Sequence, residues 1–347
     1  MAKIFIIGAG AMGSAFSFPC IDNNNEVTIL GTHLEDYTIE KLKKTNNYHP
    51  VLDVNLESKI KVLKFQELQS SLILESDLIV VGVSSKGIEW IGEQITKHFI
   101  GKKIPKLLLL TKGLSIHNNN YELLVDKLKR ILNNQGLSNF DISAVGGPCL
   151  AKGLSNRVQS SVVVANEEIK SAKTISSIIS TDYYHVEVSS DVVGVEVSAA
   201  IKNIYSMAVG AAKGLCNSQI TKEKKDQNYL NTASALFNQS IKEMEIFVNH
   251  LKGQKETVTS LAGLGDLYVS SGGGRNSKMG SYLGEGLIYS EAKKTKMSKV
   301  TVEGAELIKE IGAKVKEEFS SDKLPIMMAM IETILDDKKL SINWEKF

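Results

Sequence analysis

The chain has 347 residues, of which 43% are hydrophobic and 23% are charged, and its formal net charge is +2. This length exceeds what one hydrophobic core usually supports, so we expect two domains, and the composition is that of an ordinary soluble globular protein. The near balance of charge gives no reason to expect a nucleic-acid partner.

The cysteines and the N-terminus bear on the cellular compartment in which we expect the protein. Cys20, Cys149 and Cys216 are far apart and odd in number, so we expect reduced thiols, with neither a disulfide framework nor a zinc spacing and hence no metal. The chain opens with a strand in place of a basic segment and cleavage site, and no uninterrupted apolar run approaches about 18 residues. We therefore expect a cytoplasmic protein without a membrane span.

A glycine motif follows the first predicted strand, Lys3–Ile7. A G-x-G-x-x-G pattern runs from Gly8 to Gly13 and leads into a helix, which is typical of dinucleotide binding. Gly8 permits a tight turn, Gly10 lets the backbone approach a pyrophosphate at the helix N-terminus, and Gly13 allows the helix to pack closely on the strand. A second strand at Glu26–Leu30 argues against an ordinary glycine turn.

The turn after the second strand bears on the cofactor. It reads Gly31-Thr32-His33, with no acid at the point where NAD enzymes often hold the ribose hydroxyls. The next acids, Glu35 and Asp36, come later, and the turn has no arginine for a 2′-phosphate. We expect NAD as the cofactor, and NADP stays open.

Apolar runs alternate with helical stretches through the rest of the first half, a pattern typical of a parallel sheet. The further predicted strands are residues 77–83, 106–110, 143–145, 161–165 and 185–188. Ligands of open α/β sheets bind beyond the carboxyl ends of the strands. Three of these ends carry polar or glycine-rich turns: Ser84-Ser85-Lys86, Thr111-Lys112-Gly113 and Gly146-Gly147-Pro148.

From about Asp191 the chain reads as helices joined by loops. We therefore expect a dinucleotide-binding domain over residues 1–190 and a helical domain over residues 191–347. The stretch from Asp191 to Gly214 is almost wholly apolar or small, which predicts a buried helix with Asp191 as its N-cap. Ser198, Lys202 and Ser206 repeat every fourth residue, so they share a stripe that faces either water or an internal cleft.

A glycine-rich turn lies further along the helical half. Residues 270–276 read Ser-Ser-Gly-Gly-Gly-Arg-Asn, which supplies backbone N–H groups, the guanidinium of Arg275 and the amide of Asn276. Such a set favours an anion site, and the alternative is a surface loop with an incidental arginine. A polar stretch over about residues 217–229 is interpreted as a surface insertion.

Together these motifs resemble NAD(P)-dependent glycerol-3-phosphate dehydrogenase, from Gly8 to about Pro325. The order and spacing of short motifs carry the resemblance: G-x-G-x-x-G, Leu110-Thr111-Lys112-Gly113, Gly146-Gly147-Pro148, Asp191–Glu196 with Lys202-Asn203, Gly263–Asp266 with Gly274-Arg275-Asn276, and Val302-Glu303-Gly304. The spacing between Asp266 and Arg275 is similar to that of the eukaryotic form.

The resemblance implies an α/β fold, in which a Rossmann-type domain precedes an all-helical substrate domain of the 6-phosphogluconate dehydrogenase C-terminal-like type. It implies reversible hydride transfer between NAD(P)H and dihydroxyacetone phosphate, giving sn-glycerol 3-phosphate for glycerophospholipid synthesis, and a homodimer. Lys202 corresponds to the catalytic lysine and Lys112 to a second active-site lysine. An ammonium group near a carbonyl oxygen stabilises alkoxide charge and can supply the proton.

Further roles are implied position by position. The substrate-site positions are Lys112, Gly147, Lys202, Asn203, Asp266, Ser270, Arg275 and Asn276. The cofactor positions are Gly8, Gly10, Ala11, Met12, Gly13, His33, Lys112, Ala151, Arg275 and Glu303.

One departure and two alternatives accompany this assignment. Cys149 stands where the family has a serine, and a thiol is a poorer hydrogen-bond donor. Another reductase of the same layout, of the ketopantoate or 6-phosphogluconate type, is disfavoured by Asp266 together with Arg275 and Asn276. An inactive NAD(H)-sensing binding protein is disfavoured because Lys112 and Lys202 are both present.

Overall fold

The computed structural model describes residues 1–217 and 229–347. The described chain divides into two compact units, Met1–Lys112 with Leu123–Glu196, and Gly113–Glu122 with Val197–Phe347. The domain boundary predicted between residues 190 and 191 stays a prediction. The interior of the insertion predicted near residues 217–229 lies outside the described residues.

The strands and helices are numbered in chain order. The strands are β1 Lys3–Ile7, β2 Glu26–Leu30, β3 Tyr48–His49, β4 Val54–Asn55, β5 Lys61–Leu63, β6 Leu78–Val81, β7 Lys106–Leu109, β8 Leu114–His117, β9 Asn120–Leu123, β10 Ile142–Gly146, β11 Ser160–Ala165 and β12 Tyr184–Ser189. The helices are α1 Ala11–Asp22, α2 Asp36–Lys44, α3 Ser70–Leu74, α4 Ile88–Phe99, α5 Leu124–Asn134, α6 Ala151–Ser155, α7 Ile169–Ile179, α8 Val192–Asn217, α9 Leu230–His250, α10 Lys255–Val258, α11 Asp266–Ser271, α12 Arg275–Gly284, α13 Tyr289–Thr295, α14 Glu303–Glu318 and α15 Pro325–Leu335.

The first unit is built on an eight-stranded sheet in the order β12-β11-β10-β7-β6-β1-β2-β5. The runs Ile4–Ile7 and Leu78–Val81 are wholly buried, as continuous apolar strands are when helices cover both faces of a sheet. The seven strands predicted from the sequence are present, with ends shifted by one or two residues. The α/β class, with a Rossmann-like first unit and a helical second unit, is confirmed.

One pairing departs from the parallel sheet that the sequence predicts. Strand β10 pairs with β11 antiparallel, whereas the other pairings in this sheet are parallel. A parallel pairing needs a connection that crosses back over the sheet, usually on a full helix. Only the short α6 lies between β10 and β11, so the chain returns beside β10 in the opposite direction.

The second unit contains helices α9 to α15, the greater part of α8 and one hairpin, β8 and β9. The sequence analysis did not anticipate this hairpin, whose two strands are joined by Asn118 and Asn119. Both residues have positive φ, 48° and 59°, which is the conformation that a two-residue hairpin turn requires.

Helix α8 bears on the expectation that the chain has no membrane span. Its segment Val192–Cys216 is long and apolar enough to cross a membrane, but 89% of its apolar window is buried inside the protein. It therefore has the character of a core helix, as its sequence predicts.

Candidate functional site

Gly8 and Gly13 are required by close backbone approach. Gly8 has φ +113°, and a Cβ there would lie 2.6 Å from the carbonyl oxygen of Gly82. A Cβ on Gly13 would lie 2.1 Å from the carbonyl oxygen of Gly8. These contacts hold the turn between β1 and α1 tightly against β6, as the motif predicts.

Gly10 differs from these two glycines, because a Cβ there would approach only the Oε1 atom of Glu35, at 3.6 Å. Gly10 is the N-cap of α1 and contributes no side-chain cap, and Ala11 and Met12 follow it half-buried. The backbone N–H groups of a first helical turn attract phosphate. An open glycine beside an uncapped helix start fits the pyrophosphate of a dinucleotide.

The turn after β2 does bring an acid to the glycine motif. The Oε2 atom of Glu35 accepts hydrogen bonds from the backbone N–H of Ala9, at 3.0 Å, and of Thr32, at 2.8 Å. The sequence analysis set Glu35 aside because it lies two residues beyond the inspected turn, Gly31-Thr32-His33. Its position could have indicated this contact: Glu35 is the N-cap residue of α2, and the turn before the helix folds its side chain back towards the glycine motif.

The other predicted positions of the first unit lie mainly at strand ends. After β7, Lys112 directs its Nζ to the carbonyl oxygen of Gly147, at 3.4 Å, beyond the end of β10. Gly147 has φ +124°, so a side chain would be strained there. His33 is exposed, with its ring centroid 5.1 Å from that of Trp90. Ala151 opens α6 and is half-buried.

The polar stripe of α8 faces the protein interior. Ser198, Lys202 and Ser206 are all buried, which excludes a lysine that simply reaches water. The Nζ atom of Lys202 donates to Oδ1 of Asp266 at 2.7 Å and to Oγ of Ser270 at 2.6 Å. Asp266 and Ser270 are one turn apart on α11, so a single helix face meets the lysine.

The turn that leads into Asp266 is itself tightly packed. Residues Leu261–Gly265 form a π-helical turn, a feature often found at functional sites. A Cβ on Gly263 would lie 2.1 Å from the carbonyl oxygen of Val258. This glycine therefore fixes where α11 begins and where the Asp266 carboxylate lies.

A second group of contacts joins α8, α12 and α14. The Nδ2 atom of Asn276 donates to Oδ1 of Asn203 at 2.9 Å, and Oδ1 of Asn276 accepts from the backbone N–H of Gly304 at 3.0 Å. Arg275 and Glu303 form an ion pair at the surface. Since Asn203 follows Lys202 directly, the predicted positions of this unit gather around the middle of α8.

Two polar side chains of α8, Ser198 and Glu196, were noted in the sequence without a role of their own. Among the described residues, no partner is found for the buried Oγ of Ser198 or for Oε1 of the buried Glu196. The sequence indicated only that both belong to a helix with few polar residues. Within the described ranges, no group of three metal-ligating side chains could hold a metal ion.

Comparisons with known proteins assign both halves of the chain to one family. The family model described as NAD-dependent glycerol-3-phosphate dehydrogenase N-terminus matches residues 3–172, and the corresponding C-terminus model matches residues 191–343. The chain is 32% identical over 292 residues to an NADP(+)-dependent glycerol-3-phosphate dehydrogenase of Archaeoglobus fulgidus, covering 83% of this chain and 82% of the relative. It is 29% identical to a glycerol-3-phosphate dehydrogenase [NAD(P)+] of Mesoplasma florum, over 90% and 88% of the two chains.

Solved structures show the same fold. A glycerol-3-phosphate dehydrogenase of Plasmodium falciparum superposes with a TM-score of 0.81 at 21% identity, covering 100% of this chain and 95% of the other. The enzyme of that name from Coxiella burnetii gives a TM-score of 0.77 at 20% identity, covering 97% and 96%.

Proposed function

Because this chain belongs to the NAD-dependent glycerol-3-phosphate dehydrogenase family, we propose that it interconverts dihydroxyacetone phosphate and sn-glycerol 3-phosphate through Lys202. The single observation that carries the proposal is the buried lysine with its two oxygen partners, Asp266 and Ser270. A buried ion pair is often no more stabilising than well-packed apolar side chains would be. The presence of this buried lysine therefore indicates a role other than stability.

Reduction of dihydroxyacetone phosphate adds a hydride to the carbonyl carbon and a proton to the carbonyl oxygen. The nicotinamide supplies the hydride when it is bound. Lys202 then donates its proton to the carbonyl oxygen, as a general acid whose ammonium also stabilises the developing negative charge. Asp266 and Ser270 orient that ammonium, because each holds it by a hydrogen bond shorter than 2.8 Å.

The phosphate of the substrate needs a cation that water can reach. Arg275 meets this requirement, since its side chain is 56% exposed and its guanidinium is already placed to bind a carboxylate, that of Glu303. A guanidinium can also bind a phosphate, through two parallel hydrogen bonds. Asn276 supports this end of the site by holding Asn203 and the start of α14 together.

The dinucleotide is assigned to the glycine turn of the first unit, whose open Gly10 and uncapped α1 fit a pyrophosphate. Lys112, at the end of β7, is assigned as the second active-site cation, because ligands of such sheets bind beyond the strand ends. We extend the proposal to a cytoplasmic homodimer on the family resemblance, and light scattering of the purified protein tests the dimer.

A cofactor-oxidation assay tests the proposed function. Purified protein with dihydroxyacetone phosphate should oxidise NADH or NADPH, and sn-glycerol 3-phosphate with the oxidised cofactor should run the reaction backwards. Ketopantoate and 6-phosphogluconate serve as control substrates and should give no turnover. Turnover of a control substrate in place of dihydroxyacetone phosphate would favour the other reductase type, and folded, cofactor-binding protein that turns over none of these substrates would favour the NAD(H)-sensing alternative.

A further inference from the structure

The carboxylate of Glu35 lies against the glycine turn, at the carboxyl end of β2. Its Oε2 atom accepts from the backbone N–H groups of Ala9 and Thr32. Its Oε1 atom lies 3.6 Å from where a Cβ of Gly10 would stand, on the open side of the turn. One oxygen therefore anchors the side chain, and the other points towards the part of the turn that fits the cofactor.

The turn that carries Glu35 is acidic. Two basic side chains from outside it lie nearby: His49, whose pKa burial holds below 6.5, and Lys64, which is paired with Glu40. The turn from Gly31 to Tyr37 contains two acids, Glu35 and Asp36, and no lysine or arginine. The Oδ2 atom of Asp36 accepts from the side-chain amide of Gln66, a neutral partner. Within the described residues, neither Glu35 nor Asp36 forms an ion pair with a lysine or arginine.

In dinucleotide-binding folds, the adenosine ribose lies between the glycine turn and the carboxyl end of the second strand. A ribose with free 2′- and 3′-hydroxyls donates hydrogen bonds, which a carboxylate oxygen accepts. A 2′-phosphate at the same place donates none and brings negative charge to within a few ångströms of the carboxylate. At such separations two negative charges repel each other, even with the screening found near a protein surface.

We propose that Glu35 is the residue that makes this protein prefer NAD(H) to NADP(H). It accepts hydrogen bonds from the adenosine ribose through Oε1 and repels a 2′-phosphate. The family does not settle this preference, since the names of relatives cover both cofactors. The inference rests on the proposed cofactor site in the first unit, and it does not depend on which substrate is reduced.

Equilibrium binding of NADH and NADPH without substrate tests the proposal directly. The wild-type protein should bind NADH about 10- to 100-fold more tightly than NADPH, in line with the strength of a charge-assisted hydrogen bond. Glu35→Gln should reduce this ratio at least about tenfold, mainly by strengthening NADPH binding. Equal affinities in the wild-type protein, or a preference for NADPH, would overturn the proposal.

The matched control is Asp36→Asn, which removes the same charge one residue away. It should leave most of the NADH preference in place, because Asp36 bonds to Gln66 and not to the glycine turn. If Asp36→Asn changes the ratio as much as Glu35→Gln, the preference arises from overall charge and the assignment to Glu35 is wrong. An unchanged ratio in Glu35→Gln shows that the carboxylate only braces the turn.

Salt provides a second test that needs no variant, should Glu35→Gln fail to fold. Repulsion is screened as ionic strength rises, so NADPH binding should improve relative to NADH binding between about 0.01 and 0.5 M salt. A cation that binds the 2′-phosphate would give the opposite sign, and that result would overturn the proposal. Because these are binding measurements, the preference can fail while turnover of dihydroxyacetone phosphate succeeds, and the reverse.

Discussion

Lys202 and Asp266 form an ion pair that is almost entirely removed from water, with side-chain exposures of 8% and 2%. Breaking such a pair from one side typically costs about 3–5 kcal/mol, because the remaining charge is left buried. A loss of activity in a Lys202 variant can therefore reflect chemistry or a loosened helix pair. Kinetics and stability have to be measured on the same variant.

Lys202→Met should lower kcat by about 10²–10⁴-fold, the range expected when a general acid is removed. NADH affinity should change little, because the cofactor is assigned to the other unit. Steady-state kinetics and cofactor titration on the same preparation check both statements.

The matched control is Lys213→Met, on the same helix. Lys213 is exposed and its Nζ lies 5.2 Å from the ring centroid of Tyr229, so this variant should keep wild-type kcat. Asp266→Asn leaves Lys202 in place with a neutral oxygen to hold it, and should lose part of kcat. A Lys202→Met enzyme with near-normal kcat would show that the buried lysine is purely structural.

Arg275 is the residue assigned to the substrate phosphate. A charge-assisted hydrogen bond is worth about 1.5–3 kcal/mol, so Arg275→Ala should lower kcat/KM for dihydroxyacetone phosphate by about 10- to 150-fold. Arg275→Lys should recover only part of the loss, because a point charge cannot replace the planar fork.

Dihydroxyacetone, which lacks the phosphate, is the control substrate for Arg275. Its slow turnover should fall much less in Arg275→Ala than that of dihydroxyacetone phosphate does. Equal losses for the two substrates would mean that Arg275 contacts the cofactor or supports α14 through Glu303.

At the scale of elements, two helices of the second unit meet almost backbone to backbone. Gly210 and Gly214 on α8 stand one turn apart, as do Gly280 and Gly284 on α12. A Cβ on Gly280 would lie 1.9 Å from the carbonyl oxygen of Met207, and each of the other three has a comparable backbone neighbour at 2.2–2.3 Å. Small residues in this spacing let helices approach closely, and here the approach brings the start of α12 to Asn203.

Gly280→Ala should therefore lower the free energy of unfolding by about 1–3 kcal/mol or more, the usual cost of overpacking. Gly272→Ala is the control, since Gly272 has helical dihedral angles and its Cβ would meet its nearest neighbour at 3.6 Å. Denaturant unfolding of the two variants checks the difference. Similar stabilities would mean that α8 and α12 can separate without cost.

At the scale of the whole molecule, the sequence predicted the features that are encoded locally. The strand ends, the glycine turn and the N-cap of α8 each follow from neighbouring residues, and Asp191 indeed accepts from the backbone N–H of Gly194 at 2.8 Å. Lys202 was identified as one of a stripe, but its partner Asp266 is 64 residues away. Only the family resemblance indicated that these two belong to one site.

The features that the sequence did not predict arise mainly where the chain reverses direction or folds back. Strand β11, which is antiparallel to β10, has a buried apolar run at Val162–Ala165 like those of the parallel strands, so its sequence carries no sign of direction. Glu35 was set aside because position along the chain was taken for position in space, whereas the turn folds it back onto Ala9. Close helix packing at Gly280 was not anticipated either, because a glycine in a helix has several explanations.

Two buried carboxyl groups contribute to the pH dependence of stability near neutral pH. Burial raises the pKa of Glu196 to about 8. Among the described residues, Oε2 accepts from the backbone N–H of Val125 at 3.2 Å, and Oε1 has no partner. Burial raises the pKa of Glu243 to about 7, although its oxygens accept from the first N–H groups of α15, those of Ile326 and Met327.

The sign of the effect follows from proton binding. With a pKa near 4.5 when unfolded, both groups hold more protons in the folded state from about pH 4.5 to their raised pKa values, so stability falls as pH rises. His49 and His98 act oppositely, since burial lowers their pKa below 6.5, but their contribution is complete above that value. The fall should therefore be clearest between about pH 6.5 and 8.

Glu196→Gln should remove the upper part of this fall, and the variant should exceed the wild type in stability at pH 8.5 by up to a few kcal/mol, because a neutral amide replaces a buried charge. Urea unfolding from pH 5 to 9 measures the slope. The control Glu256→Gln, which removes an exposed carboxylate on α10, should keep the wild-type slope. If Glu196→Gln also keeps it, then Glu196 is ionised in the folded protein at neutral pH, and a cation or water must reach the oxygen that lacks a partner among the described residues.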